Sequence, residues 1–308
     1  MKNIIIIMVL VLFACITSAQ VTPFDLQAEI IAAPNGGTVS IPCGVYEIGD
    51  VTINPQNLWQ KVITIQGCGH AHLGQSPQKG SSQWDYLING GYYYGTVLRG
   101  TITVNKGARL YIRDVSFIGH GGGVGIDYGN GVDMFPEGAI EDVSLGNYDI
   151  GIRLKRVYYM SIDDVSIAGV DIGLQNTNSN AITVTGVNIM SCITGMDLTG
   201  NGNVYAGGSV QSCGTGVRLG GFGSTLTGFY FEQNSIAVEI SGRGHSVISN
   251  YYSSNAGQLM ISGHNNHVFM SETSMLITLT GNYNRVYLPA YGTCNDSGFA
   301  NQCMRLYP

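Results

Sequence analysis

The feature that most constrains this chain of 308 residues is a short pattern that recurs about every 21 residues between Tyr148 and Leu288. In each copy a middle residue, usually polar, is flanked by apolar ones. Successive middle residues lie 22, 22, 21, 21, 21 and 18 positions apart, and they are Arg153, Gln175, Asp197, Arg218, Glu239, Met260 and Thr278. Such a unit is too short to bury an apolar face alone, so neighbouring units must stack around one core. The repeat therefore predicts a solenoid.

The local pattern predicts that the units are built from strands. Apolar and polar residues alternate over four or five positions, and Val, Ile, Thr and Tyr are frequent. Within one copy we place strands at 216–219, 224–227 and 229–232, with a bend at Gly228. Three strands per coil describe an all-β, single-stranded parallel β-helix, in which each strand pairs with its equivalent about 4.8 Å away.

The ends of the chain are expected to differ from the coils. Lys2, the apolar run 4–14 and Thr17-Ser18-Ala19 have the features of a signal peptide over residues 1–19. This predicts a secreted or cell-surface protein, with lipoprotein processing at Cys15 as the alternative. Thr22 as N-cap and Pro23 after it predict a short capping helix. We divide the rest into one domain, with an N-terminal cap at 20–35, coils at 36–288 and a C-terminal cap at 289–308.

Charge narrows the class of partner. Without Lys2 the chain has 13 basic and 20 acidic residues, so its net charge is −7. This balance argues against nucleic acid, whose phosphates need a basic surface. The N-terminal apolar run is too short for a membrane span. Only 11% of residues are charged, which suits neutral or polyhydroxylated partners. A homo-oligomer is compatible with the sequence.

Six cysteines follow the signal peptide, and an even number in an exported chain favours disulfides. Cys192 and Cys213 each lie three residues before the glycine that opens a coil strand, so they stack in adjacent coils. One inter-strand step is within the Cα separation of roughly 4.4–6.8 Å that a disulfide tolerates. The predicted pairs are Cys192–Cys213, Cys43–Cys68 and Cys294–Cys303. Buried free thiols are the alternative.

The opening coils carry a resemblance to a known group of proteins. The segments GGTVSIPCGVYEI (36–48), ITIQGCG (63–69), GTVLRG (95–100) and LYIRDVSFIG (110–119) resemble the pectate lyase superfamily, including tailspike-type and family 28-related proteins. The resemblance implies a right-handed β-helix over most of the mature chain. It implies no single chemistry, because the superfamily contains lyases, hydrolases, epimerases and proteins without catalysis.

One column of residues is the main candidate for function. The apolar neighbours of each middle residue must point inward, so the middle residues point outward. We call the following set the outward column: Asp127, Arg153, Gln175, Asp197, Arg218, Glu239, Met260 and Thr278. In the resembled superfamily this face commonly forms the substrate groove. We therefore predict that Asp127, Arg153 and Gln175 contact substrate and that Asp197, Arg218 and Glu239 are catalytic.

Two mechanisms fit this column. Asp197 and Glu239 lie two coils apart, roughly 9.6 Å between backbones, which approaches the carboxyl separation of inverting glycosidases. A lyase would instead use Ca²⁺, with Arg218 beside the proton to be abstracted. Because arginine holds its proton tightly, a lyase would need alkaline conditions. The alternative to both is a salt-bridge ladder, in which Asp127 pairs with Arg153 and Arg218 is shared by Asp197 and Glu239.

Other candidates lie in loops and bends. The excursion at 69–95 contains Trp84, Tyr92 and Tyr93, which either stack on sugar rings or pack the loop onto the coil. Gly119-His120-Gly121 is similar to an element of the polygalacturonases of glycoside hydrolase family 28, although that family's acidic motifs are absent from 70–118. His120 is therefore either a substrate contact or a turn residue. No metal-binding spacing of histidines is found. Asp114, Asp142 and Asp164 stack at a bend, where we expect a turn and no metal site.

We conclude from the sequence that the chain is a secreted, disulfide-tied β-helix that binds a polysaccharide. Depolymerisation by a lyase or a hydrolase is left open. The alternative is a non-catalytic structural or adhesive β-helix.

Overall fold

The computed structural model describes residues 21–54, 61–70, 77–85, 95–105, 109–129, 138–255, 259–270, 276–289 and 292–305. The predicted signal peptide and Cys15 lie outside these residues. Within them the fold consists of 23 strands, the short helix α1 (Leu26–Ala32) and a helical turn at 83–85. No described helix is both long and apolar enough to cross a lipid bilayer.

The strands are short, and many bend across a corner of the coil. In chain order they are β1 (Thr22–Pro23), β2 (Thr38–Ser40), β3 (Gly44–Ile53), β4 (Val62–Gln66), β5 (Thr96–Val104), β6 (Arg109–Ile118), β7 (Val124–Tyr128), β8 (Gly138–Gly146), β9 (Ile150–Lys155), β10 (Met160–Asp163), β11 (Ser166–Thr177), β12 (Thr183–Leu198), β13 (Val204–Gln211), β14 (Thr215–Leu219), β15 (Thr225–Glu232), β16 (Ile236–Ile240), β17 (Ser246–Ser253), β18 (Leu259–Ile261), β19 (His267–Met270), β20 (Leu276–Leu279), β21 (Arg285–Leu288), β22 (Thr293–Asp296) and β23 (Gln302–Arg305).

Parallel pairing stacks these strands into three faces. Face 1 contains β7, β9, β14, β16, β18, β20 and β22, with the C-terminal parts of β3, β5, β11 and β12. Face 2 includes β2, β4, β10, β19, β21 and β23. Face 3 begins at β1, which pairs with the first part of β3. The predicted parallel β-helix is confirmed.

Alternation along face 1 forms one side of the core. The residues that flank the outward column are buried, as in Ile152, Leu154, Met196 and Leu198. A glycine recurs at the start of several face 1 strands, because faces 1 and 3 pack closely at this corner. A Cβ at Gly195 would lie 2.5 Å from the Gly216 carbonyl oxygen and 2.5 Å from Val210 Cγ1. Gly195 therefore has no room for a side chain, whereas Ala237 takes the equivalent position in a later coil.

The stacked aspartates lie at a backbone bend, as expected. Asp114, Asp142 and Asp164 have φ values of 56°, 50° and 51°, and Gly186 and Gly228 continue the series at 65° and 69°. This left-handed conformation favours Gly, Asn and Asp. The aspartate column is therefore part of the turn.

The corner between faces 1 and 2 contains a buried polar ladder. Each member accepts a hydrogen bond from the backbone N–H of the equivalent residue one coil earlier. His245 Nδ1 accepts from Ser224 N at 3.1 Å, Asn266 Oδ1 from His245 N at 2.9 Å, and Asn284 Oδ1 from Asn266 N at 3.0 Å. These side chains satisfy N–H groups that the turn would otherwise bury unpaired.

Both ends differ in detail from the sequence-based expectation. Asp25, and not Thr22, caps α1, and its Oδ1 accepts a hydrogen bond from Ala28 N at 2.9 Å. Thr22 instead lies in β1, because the chain before the helix extends to pair with β3. At the C-terminus β22 and β23 pair in parallel with β20 and β21, so the segment beyond Leu288 adds strands to the coils.

Two of the three predicted disulfides are present. Cys43–Cys68 and Cys294–Cys303 have Cα separations of 5.4 and 6.6 Å. Cys192 and Cys213 stack in adjacent coils as expected, but they are free thiols with Sγ atoms 2.8 Å apart. That separation exceeds a bond length of about 2.05 Å. The two sulfurs therefore interact as thiols through a hydrogen bond. Their hydrogen bond and burial raise the pKa of Cys192.

Candidate functional site

The outward column exists as a continuous row on face 1. Strand pairing brings Asp127 beside Arg153, Arg153 beside Gln175, and Gln175 beside Asp197. The row continues through Arg218, Glu239, Met260 and Thr278. All eight residues therefore share one surface, and neighbouring members lie on adjacent coils.

Ion pairs occupy much of this row. Arg153 binds Asp127 through two hydrogen bonds, of which Nε to Oδ1 is 2.8 Å. This contact raises the pKa of Arg153. Arg218 Nε lies 3.3 Å from Glu239 Oε2. Asp197 forms no ion pair within the described part of the chain, so the expected sharing of Arg218 between two carboxylates is not seen. Gln175 and Asp197 lie between these two ion pairs and have no charged partner among the described residues.

A pocket of about 480 Å³ lies at the corner between faces 3 and 1, in the first coils. We call it the corner pocket, and it is lined by Glu47, Gly49, Asp50, Gly100, Thr101, Gly119, His120, Gly122, Gly123 and Tyr148. Thr101 lies two residues before Thr103, which pairs directly with Asp127. The pocket therefore adjoins the N-terminal end of the outward column.

A chain of polar contacts holds His120 at the pocket wall. Arg99 Nη2 donates to His120 Nδ1 at 3.2 Å, because an arginine has no acceptor. The imidazole proton must then be on Nε2, which lies 3.3 Å from Glu47 Oε1. Arg99 Nη2 also contacts Asp85 Oδ1 at 3.3 Å. These contacts fix the tautomer of His120 and direct its N–H toward Glu47.

The rest of the pocket combines a rigid floor with open space. Tyr148 is fully buried and its hydroxyl donates to the Gly100 carbonyl at 2.6 Å, and burial raises the pKa of Tyr148. Asp50 accepts a hydrogen bond from Thr101 Oγ1 at 2.8 Å. A Cβ at Gly122 would meet only Asp149 Oδ2, at 3.6 Å. The fold therefore has no steric need for glycine at position 122, and the glycine leaves room in the pocket.

The excursion before β5 packs tightly against the coils where it is described. Trp84 is 1% exposed, packs with Val97, Ile118 and Ala168, and donates from Nε1 to the Gln78 carbonyl. The expectation that Trp84 stacks on a sugar is wrong, because its ring faces are covered by the coil. Tyr92 and Tyr93 lie outside the described residues.

Lys79 anchors the same excursion. Its Nζ lies 2.8 Å from Asp149 Oδ1 and 2.5 Å from Asp171 Oδ2. These hydrogen bonds raise the pKa of Lys79, and the Lys79 contact lowers the pKa of Asp149. Asp149 also accepts a hydrogen bond from the N–H of Gly123, a pocket residue, at 2.8 Å, so the excursion and the pocket wall are held together.

Comparison with known proteins gives matches in structure. No family model matches the sequence, and no curated protein matches it either. The DFA-IIIase of Arthrobacter chlorophenolicus A6, without its lid and in complex with GF2, is 14% identical with a TM-score of 0.64 over 91% of this chain and 88% of that chain. The A-module of the Azotobacter vinelandii mannuronan C-5 epimerase AlgE6 is 12% identical, with a TM-score of 0.59 over 92% and 94%.

A third similar structure is the catalytic domain of a GH87 α-1,3-glucanase in complex with tetrasaccharides. It is 13% identical, with a TM-score of 0.56 over 92% of this chain and 68% of that chain. The chain has the pectate-lyase-like β-helix fold. At these identities the likeness establishes the right-handed coil and leaves the chemistry to the residues of the site.

Sequence reasoning named His120 but missed the other pocket residues of this pectate-lyase-like β-helix. Glu47 pairs with Arg99 one coil away, although 52 positions separate them. The excursion interrupts the period of about 21 residues, so the column alignment does not extend to them. The available signal was the pair of glycines that match across the interruption, since Gly49 pairs with Gly100.

The described part of this pectate-lyase-like β-helix contains no group of three or more His, Cys, Asp or Glu side chains arranged to hold a metal ion.

Proposed function

We propose that the chain is a secreted carbohydrate-active protein that binds a polysaccharide along face 1 and hydrolyses it. The observation that carries this proposal is the corner pocket, which places two carboxylates and His120 at the end of the outward column. The similar structures support it, since two of them are described with bound saccharides. The two disulfides fit an extracellular location.

Binding and catalysis are assigned to different parts of this surface. Asp127, Arg153 and Gln175 line the path of the glycan, and His120 closes its end at the pocket. Hydrolysis needs one carboxyl group that protonates the leaving oxygen and a second that activates water. Glu47 and Asp50 are the candidate pair in the pocket. Asp197 and Glu239 are the candidate pair on the column, with Arg218 holding Glu239 in place.

The experiment combines a substrate panel with matched variants. The protein is incubated with neutral and uronic polysaccharides, with and without Ca²⁺, and reducing ends and the ultraviolet absorbance of unsaturated products are followed. We expect new reducing ends without unsaturated products. Loss of a general acid or base should lower the rate by about 10²–10⁴-fold. That loss is expected in Glu47→Gln and Asp50→Asn if the pocket reacts, or in Asp197→Asn and Glu239→Gln if the column reacts.

Glu141→Gln is the control. Strand pairing places Glu141 on face 2, between Arg113 and Asp163, and the substitution removes the same charge. Calcium-dependent unsaturated products would show a lyase instead. No product from any polymer would leave the second candidate function.

The second candidate is a structural or adhesive β-helix, and the ion-pair ladder favours it. Asp127–Arg153 and Arg218–Glu239 fix the coil register without any substrate. Exposed pairs of this kind contribute roughly 0–1 kcal/mol each. Binding of a polysaccharide without any product in the same panel would support this candidate.

A further inference from the structure

We infer that the glycan-binding surface of face 1 takes uncharged polysaccharides and excludes polyuronates. The inference rests on the proposed function and specifies its substrate class. It comes from the way in which the cationic side chains around the corner pocket and the outward column are used.

Four cations of this surface are already bound to carboxylates of the protein. Arg153 is paired with Asp127, and Arg218 with Glu239. Lys79 bridges Asp149 and Asp171. Arg99 contacts Asp85 and His120, and its Nε lies 3.9 Å from Glu47 Oε2. A uronate carboxylate would have to displace one of these partners before it gained an arginine or lysine of its own.

Arg99 is the cation nearest the pocket, and it is shielded from a ligand. Its Nε is buried and has no hydrogen-bond partner, so solvent does not reach this atom. The side chain is 17% exposed, and Arg99 is not among the lining residues. The pocket therefore presents carboxylates to a ligand and keeps its arginine behind the wall.

Carboxylates, by contrast, line the pocket directly. Glu47 and Asp50 line the pocket, and Asp197 on the column has no ion pair among the described residues. Each repels a uronate and accepts hydrogen bonds from sugar hydroxyls. Lys155 is the exception among the cations, since it forms no ion pair within the described ranges. A polyuronate carries a carboxylate on every unit, so one lysine does not balance this surface.

The pocket also has room for an uncharged sugar ring beside its backbone. Its lining includes five glycines, and a Cβ at Gly49 or Gly123 would meet no atom within 4 Å. Sugar rings reach the backbone at such positions, and their hydroxyls meet carboxylate oxygens on either side. This arrangement recognises hydroxyl groups without a charged contact.

Affinity electrophoresis of the intact protein tests the inference. Gels contain either a neutral polymer (linear glucan, fructan or xylan) or a polyuronate (polygalacturonate or alginate). We expect retardation by at least one neutral polymer and none by polyuronates. Glu47→Gln combined with Asp50→Asn should weaken neutral binding by at least about tenfold. Glu141→Gln should bind like the unaltered protein.

A second variant tests the cause. Asp127→Asn releases Arg153 from its carboxylate and should introduce retardation by polygalacturonate that falls with added salt. If polyuronates retard the unaltered protein as strongly as neutral polymers, the inference is overturned while the proposed function stands. Continued exclusion of polyuronate by Asp127→Asn also overturns it, because the ion pairs would then not set the selectivity. Retardation by no polymer overturns the proposed function itself.

Discussion

His245 occupies a buried ladder position that Asn or Ser fills in the neighbouring coils. Its Nδ1 accepts the Ser224 N–H, so the single proton of a neutral ring must be on Nε2. Burial lowers the pKa of His245. A protonated ring would turn Nδ1 into a donor facing another donor. The folded state therefore requires a neutral His245. In the unfolded chain the same side chain takes up a proton near the ordinary histidine pKa of about 6.5.

The consequence is a stability that depends on pH. Because the pKa of His245 is lower in the folded state, its contribution to the free energy of unfolding is fully present above about pH 6.5. That contribution is lost as the pH falls toward the folded-state pKa. The loss should be at most about 1.4 kcal/mol per pH unit. Urea unfolding between pH 8 and pH 5 measures it.

His245→Asn supplies the ladder residue of adjacent coils and should flatten this dependence. His267→Gln, at an exposed site on face 2, should leave it unchanged. An equal pH dependence in the unaltered protein and His245→Asn would contradict the account.

At the scale of elements, the turns are as regular as the strands. Tyr159, Ala181, Asn265 and Tyr283 all adopt φ between 55° and 59° at the equivalent point of their coils. The residue after Asn265, Asn266, is buried and accepts an N–H bond in the polar ladder. In the later coils the turn therefore couples a left-handed residue to a buried hydrogen bond made by the next side chain.

Removal of one ladder side chain should have a large effect. Asn284→Ala removes the acceptor of the Asn266 N–H and a donor to the Gly263 carbonyl. Buried groups left unpaired cost about 1–3 kcal/mol. Denaturant unfolding should show this loss. Asn295→Ala on exposed face 1 is the control and should change stability by less than about 0.5 kcal/mol. Equal effects of the two changes would show that the ladder does not stabilise the turns.

At the scale of the whole molecule, the periodic part was predictable and the exceptions were not. The spacing from Arg153 to Thr278 placed the outward column correctly, because the pairing of parallel strands fixes one residue per coil. The aspartate bend and the Cys43–Cys68 disulfide followed from aligning the coils, whereas Cys294–Cys303 was the pair that remained. Trp84 failed because an aromatic residue in a loop has the same sequence signature whether it binds a sugar or packs.

The corner pocket was beyond sequence reasoning for a physical reason. Glu47 and His120 meet only because the excursion returns the chain to the same coil axis, and the length of the excursion carries no information about register. The strands that follow Leu288 were also not predicted, because Thr278 to Asn295 spans only 17 residues.

The central claim is that a glycan binds on face 1 with one end in the corner pocket. The most direct measurement is a crystal structure of the protein with a neutral oligosaccharide that retards it in the gel. We predict a sugar ring between Glu47, Asp50 and Gly122, with the next units extending toward Asp127. Gly122→Val should abolish binding while leaving the unfolding midpoint unchanged. An oligosaccharide bound on face 2 or face 3, or full binding by Gly122→Val, would contradict the account.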